Sequence, residues 1–125
     1  MGYNLNNDIP LGQLGSGYLH DAGAFTPPTG KVVVAITMLH DTSLTLLTQE
    51  VPTDATYKGP TTSAGVAEVG YFGTTANVAA ANGTNSDAIG TSDVFPKGVT
   101  IYGRWKAVTL NMSTATSQAI VYFGY

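Results

Sequence analysis

The stretch from Asp93 to Leu110, DVFPKGVTIYGRWKAVTL, constrains the fold of this chain more than any other. Pro96 and Gly98 form a turn signal near its start, and the residues after them are rich in β-branched and aromatic side chains, a composition that favours a long strand. Because side chains alternate across a pleated backbone, the pattern predicts two faces. The predicted core face carries Val99, Ile101, Gly103, Trp105 and Ala107, and the opposite face carries Thr100, Tyr102, Arg104 and Lys106. Trp105 is therefore predicted to be a buried anchor of the core.

The apolar pattern changes phase towards the end of this strand. Val108 and Leu110 fall on the opposite alternation to Trp105. A change of phase by one residue moves side chains to the other face, so the pattern predicts a bulge or bend, or a strand end that is apolar on both faces.

Four further stretches are typical of strands. Residues 31–39, KVVVAITML, are apolar on both faces and predict a central strand. A turn at residues 40–42 leads into residues 43–51, SLTLLTQEV, so we expect these two strands to form a hairpin. Residues 66–72, VAEVGYF, and residues 118–125, QAIVYFGY, predict two more, and the last is expected to pair with Asp93–Leu110 as a second hairpin.

Residues 73–93 are predicted to form a long surface loop, or a two-residue hairpin turn between short strands. No amphipathic stretch of helical length occurs in the chain. The predicted fold class is all-β, with five to eight strands in a single small β-sandwich or barrel.

Residues 1–30 are predicted to be an extended N-terminal arm, and residues 31–125 the β domain. The first segment has many glycines and prolines and no period of 2 or 3.6, so neither a strand nor a helix is expected in it. It is too apolar for a solvated tail. Its apolar residues are Tyr3, Leu5, Ile9, Leu11, Leu14, Tyr18, Leu19 and Phe25. The arm either folds over its own domain or reaches a neighbouring subunit.

The amino-acid composition indicates which kinds of partner this protein can have. Only 10% of residues are charged, against roughly 25% in an average globular domain. Such a surface favours a protein partly covered by partners, although a small β domain rich in Thr, Ser and Asn is the alternative. The net charge of −3 and the five scattered basic residues argue against nucleic-acid binding, and the absence of cysteine excludes disulfides and thiolate metal sites.

The first residues lack a basic region followed by an apolar run, so no secretory signal is expected. No apolar stretch approaches the roughly 18 residues that a membrane helix needs, so no membrane contact is expected.

No catalytic or cofactor site is predicted. The dipeptides His20-Asp21 and His40-Asp41 fit solvated turns better than a metal or proton-sharing site. Asn82, Asn85 and Asp87 place oxygen ligands in one loop without the closing glutamate of a calcium-binding loop. A small hydrolase would need a nucleophile, a base and an orienting residue, and the sequence offers no such set.

The stripe formed by Tyr102, Arg104 and Lys106 is the candidate partner interface within the β domain. In the arm, the candidate interface residues are Tyr3, Leu5, Ile9, Leu11, Leu14 and Tyr18.

The string FPKGVTIYGRW, followed by a hydrophobic strand at the C-terminal end, resembles small virion proteins of tailed bacteriophages, especially the capsid decoration (cement) proteins of aquatic phages. The resemblance covers roughly the last 35 residues. It implies a β-rich domain on the outer capsid surface, assembled in the host cytoplasm, bound to the major capsid protein and often to itself as a homotrimer. A terminal arm would tie neighbouring capsomers together.

A phage fibre or tail component, or a carbohydrate-binding β-sandwich, is the alternative. It requires exposed aromatic side chains clustered on one face, for which Tyr57, Tyr71, Tyr102 and Tyr122 are the candidates.

Overall fold

Five antiparallel strands make up one sheet in the computed structural model, which describes residues 14–50, 72–74, 85, 87–113 and 116–125. The strands are β1 (Ser16–Leu19), β2 (Val32–Met38), β3 (Leu44–Gln49), β4 (Thr100–Leu110) and β5 (Ala119–Gly124). Their order across the sheet is β1-β5-β2-β4-β3. The all-β class is thus confirmed, and no helix occurs among the described residues. The sheet is not closed and no second sheet packs on it in this part of the chain, so the expected sandwich or barrel is not confirmed.

Both predicted hairpins are wrong. Among the described strands, β2 lies between β5 and β4, β3 pairs with β4, and β5 pairs with β1 and β2. The cause is the length of β4. Its first half pairs with β2, up to Trp105 opposite Val33, and its second half pairs with β3, as far as Leu110 opposite Leu44. In a β2–β3 hairpin, β3 would be the neighbour of β2. In this sheet, β4 occupies that position instead.

The change of phase in β4 is a register irregularity, as predicted. Ala107 pairs with Thr48 while Trp105 pairs with Gln49, so the pairing passes over Lys106. An extra residue on one strand of an antiparallel pair bends the strand and changes the face of the residues beyond it. This is why Trp105 and Val108 are both fully buried.

The sheet curves strongly. Thr42, just before β3, bridges Phe95 ahead of β4, while Leu44 pairs with Leu110 at the far end of β4. Both ends of β4 therefore approach the short connection between β2 and β3. We call the side of the sheet that holds the core the inner face, and the opposite side the outer face.

Buried side chains from β2, β3, β4 and β5 form one core cluster on the inner face. It consists of Val33, Ile36, Met38, Leu44, Leu47, Trp105, Val108, Leu110, Ala119, Val121 and Phe123. Trp105 is buried as predicted, with 0% of its surface exposed. Its Nε1 donates a hydrogen bond to the Phe72 carbonyl oxygen at 2.7 Å, and the two rings meet edge to face at a centroid distance of 5.4 Å.

The segment predicted to be an arm contributes to the domain from Leu14 onward. Ser16–Leu19 is a strand paired with β5, so the expectation of no strand before residue 31 is wrong. Phe25 exchanges two backbone hydrogen bonds with Val108 and stacks on Phe123 at 5.9 Å. The four-residue strand is too short for its alternation to stand out from the surrounding glycines. Residues 14–30 therefore fold over their own domain.

Three other sequence predictions fall largely outside the described residues. These are the arm before residue 14, the strand at residues 66–72, of which only Phe72 is described, and most of the loop at residues 73–93.

Candidate binding surface on the outer face

The outer face of the sheet carries two of the three most exposed aromatic side chains of the described chain, and the third, Tyr125, follows β5. Alternation along β1 and β4 directs Tyr18 and Tyr102 outward, with 56% and 59% of their surfaces exposed. Exposed apolar surface is unfavourable in water, and a partner that covers it removes this cost. The outer face is therefore the candidate binding surface.

Strand register brings two of these tyrosines to either side of one alanine. Ala35 on β2 pairs with Tyr102 of β4 on one side and with Tyr122 of β5 on the other. The register of β2 shifts between Val33 and Ala35, which turns Ala35 from the inner to the outer face. Ala35 is 1% exposed, so it forms the floor between the two rings.

The result is an open groove of about 290 Å³, which we call the tyrosine groove. The described residues that line it are Ala35, Thr37, Thr100, Tyr102 and Tyr122. The Thr37 and Thr100 hydroxyls lie 2.8 Å apart and hydrogen-bond to each other, two residue pairs along from Ala35 and Tyr102. None of these five residues is charged.

The three residues of the predicted stripe, Tyr102, Arg104 and Lys106, have different surroundings. Tyr102 is a wall of the groove, and Lys106 is exposed at the irregularity in β4. The Arg104 guanidinium Nε lies 2.6 Å from a carboxylate oxygen of Glu50, just beyond β3. A pair that is about 30% exposed contributes on the order of 1 kcal/mol or less, but it neutralises the arginine locally. Lys106 has no ion-pair partner among the residues that the structure describes.

The arm candidates are placed only in part. Tyr3, Leu5, Ile9 and Leu11 lie outside the described residues. Leu14 is partly buried against the core, and its carbonyl oxygen accepts a hydrogen bond from Lys31 Nζ at 2.7 Å. Tyr18 is the one member of the set that the structure places on the surface, at one edge of the sheet.

The residues weighed for metal binding and catalysis do not converge. His20 Nδ1 and Asp21 Oδ1 lie 3.4 Å apart in an exposed turn. His40 Nδ1 accepts a hydrogen bond from the Asp41 backbone amide, and Asp41 Oδ1 accepts one from the Lys97 amide. Within the described ranges, no group of three or more His, Asp or Glu side chains could hold a metal ion.

The candidate calcium loop is only partly described. Asn82 lies outside the described residues, while Asn85 is exposed with a positive φ of 67° and Asp87 Oδ1 accepts a hydrogen bond from the Ala88 amide. Asparagine tolerates this left-handed conformation better than most residues, which accounts for Asn85 as a turn residue.

Sequence reasoning named Tyr102 and Tyr122 but not the groove between them. Their shared partner Ala35 depends on the register shift in β2 and on β2 lying between β4 and β5, and a run of apolar residues reveals neither. Tyr57 and Tyr71, the other two aromatic candidates, lie outside the described residues.

Comparisons of the chain with protein-family models, with curated proteins and with solved structures found no match. No helix in the described part of the chain is long and apolar enough to cross a membrane.

Proposed function

We propose that this chain is a structural virion protein, a capsid decoration protein that binds the outer capsid surface of a tailed bacteriophage and stabilises the assembled head by bridging neighbouring subunits. The resemblance of FPKGVTIYGRW to such proteins supports the proposal. That string runs from Phe95 to Trp105, so it covers the first half of β4 and the turn before it.

The observation that carries the proposal is the position of β1. Among the described strands it lies at the edge of the sheet, and the apolar residues Tyr3, Leu5, Ile9 and Leu11 precede it closely in the sequence. The chain therefore enters the domain at the rim of the sheet. A segment of thirteen residues can reach at most roughly 45 Å when fully extended, far enough to cross from one subunit to the next.

A bridging role suits a domain of this kind energetically. An extended segment bound to a neighbour loses conformational entropy, so a single contact of this type is weak. On a capsid the same contact is repeated by symmetry, and each link holds the next at a high effective concentration. Many modest contacts then act together, and no deep pocket is needed.

Cosedimentation with purified heads tests this attachment. The full chain should pellet with heads of the phage that encodes it, and a variant with Tyr3, Leu5, Ile9 and Leu11 replaced by serine should remain in the supernatant. The matched control replaces Asn4, Asn6, Asn7 and Gln13 of the same segment by serine and should pellet like the full chain. Equal pelleting of both variants would show that the apolar residues of this segment do not attach the protein, and no pelleting of the full chain would refute the capsid role.

A further inference from the structure

We infer that the tyrosine groove is a carbohydrate-binding site that holds one sugar ring between Tyr102 and Tyr122. The inference does not depend on the proposed capsid role, which rests on residues 1–13 and the edge strand. It rests on the width of the groove, the hydroxyl groups that line it and the absence of charge among its described lining residues.

The width of the groove fits one ring. Tyr102 and Tyr122 both pair with Ala35, so their Cα atoms are two strand spacings apart, roughly 10 Å. A sugar ring is a puckered chair, and in van der Waals contact with an aromatic ring on each face it needs roughly 8–9 Å between those outer rings. Because the floor residue is an alanine, no side chain fills the space between them.

The polar groups of the groove match a polyol. Thr37, Thr100, Tyr102 and Tyr122 each carry a hydroxyl group that can donate one hydrogen bond and accept two. Thr37 and Thr100 use only one of their two protons in their mutual hydrogen bond, so the pair retains one donor and several acceptor sites. A sugar ring presents hydroxyl groups of the same dual character at its rim and C–H groups on its faces, which pack on aromatic rings.

Planar bases and extended peptides fit less well. A nucleotide could stack between the tyrosines, but its phosphates need nearby cations, and no described lining residue is charged. On β4, Arg104 is paired with Glu50, and Lys106 lies four residues along the strand from Tyr102, roughly 13 Å away. A proline-rich peptide places its two anchoring prolines roughly 9 Å apart, whereas the floor from Ala35 to Thr37 is only about 7 Å long. The groove is therefore short, neutral and rich in hydroxyl groups.

The site is also built on rigid elements. Its walls lie on β4 and β5 and its floor on β2, three strands that pair with one another in the sheet. Side chains held on paired strands lose little further freedom on binding, so even a small contact area leaves a net binding free energy.

The inference is tested with the full chain and four probes, the methyl glycosides of glucose, galactose, mannose and N-acetylglucosamine. Each is titrated into isotopically labelled protein up to millimolar concentrations, with binding followed by amide chemical shifts. We expect at least one probe to bind saturably, with the largest shifts at Ala35, Thr37, Tyr102 and Tyr122. Tyr102→Ala and Tyr122→Ala should each weaken that binding at least tenfold.

Tyr18→Ala is the matched control. Tyr18 has nearly the same exposure as Tyr102 and lies on the same face of the sheet but outside the groove. This variant should bind the sugar like the unaltered protein, and the amide spectra should show all three variants folded. Three results would overturn the inference: no saturable binding of any probe, equal loss in all three variants, or tighter binding of a proline-rich peptide than of every sugar.

Discussion

Trp105 is the residue on which most of the inner face depends. It is fully buried, its indole N–H is satisfied by the Phe72 carbonyl oxygen, and the indole lies over Gly103. A Cβ atom at Gly103 would lie 2.5 Å from the Trp105 ring, so only glycine fits this position without displacing the indole. The core is therefore specified by a large residue together with a small one two positions before it.

Replacing Trp105 by alanine should lower the free energy of unfolding by about 3–5 kcal/mol, because the change removes a large buried ring and leaves a cavity. Urea unfolding followed by circular dichroism measures this loss. Trp105 is the only tryptophan in the chain, so its fluorescence reports this site alone. Emission from the native protein at the wavelength of free tryptophan would show that the ring is not buried.

Replacing Gly103 by alanine should cost about 1–3 kcal/mol, because the added methyl group forces the indole or the strand to shift. Gly23→Ala is the matched control. A Cβ atom at Gly23 would have no neighbour within 4 Å, so this change should alter stability by no more than about 0.5 kcal/mol. Equal effects of the two changes in urea unfolding would contradict the packing described for Trp105.

The elements show which features are local in the sequence and which are not. Alternation and β-branched composition predict β2, β3, β4 and β5 well, since each strand carries its own pattern. The pairing of the strands cannot be predicted in this way. It depends on the length of β4, which pairs with both β2 and β3, and on the register irregularities that bend this strand. β1 is not predicted because it has only four residues, one of them a glycine, and this is too short to show an alternation of apolar and polar side chains.

Two deletions separate the part of the N-terminal segment that belongs to the domain from the part that precedes it. Removal of residues 1–13 should leave the melting temperature nearly unchanged, because the proposed function assigns the apolar side chains of this segment to a neighbouring subunit. Removal of residues 1–30 deletes β1 and the Phe25 ring that stacks on Phe123, so it should lower the melting temperature strongly or prevent folding. Differential scanning calorimetry compares them. Nearly equal melting temperatures for the two truncated chains would mean that β1 and Phe25 do not stabilise the domain.

For the whole molecule, the sheet separates two tasks. Its inner face provides stability through a continuous apolar cluster, while in the described part of the chain Tyr18 and Tyr102 are exposed on the outer face and β1 lies at the edge. The sequence indicates the low charge and the exposed tyrosines that make this division possible. It does not indicate that Tyr102 and Tyr122 share Ala35 as a neighbour, because that contact joins residues from three strands far apart in the chain.

Release of DNA from phage heads on heating tests the central claim most directly. Heads assembled with and without this protein would be heated in parallel, with DNA release followed by a dye that fluoresces on binding DNA. A bridging protein stabilises the assembled state through contacts that the free subunits lack, so heads without it should release DNA at a lower temperature. Adding back the purified full chain should restore the original temperature. Identical release temperatures for heads with and without the protein would contradict the proposed role in stabilising the capsid.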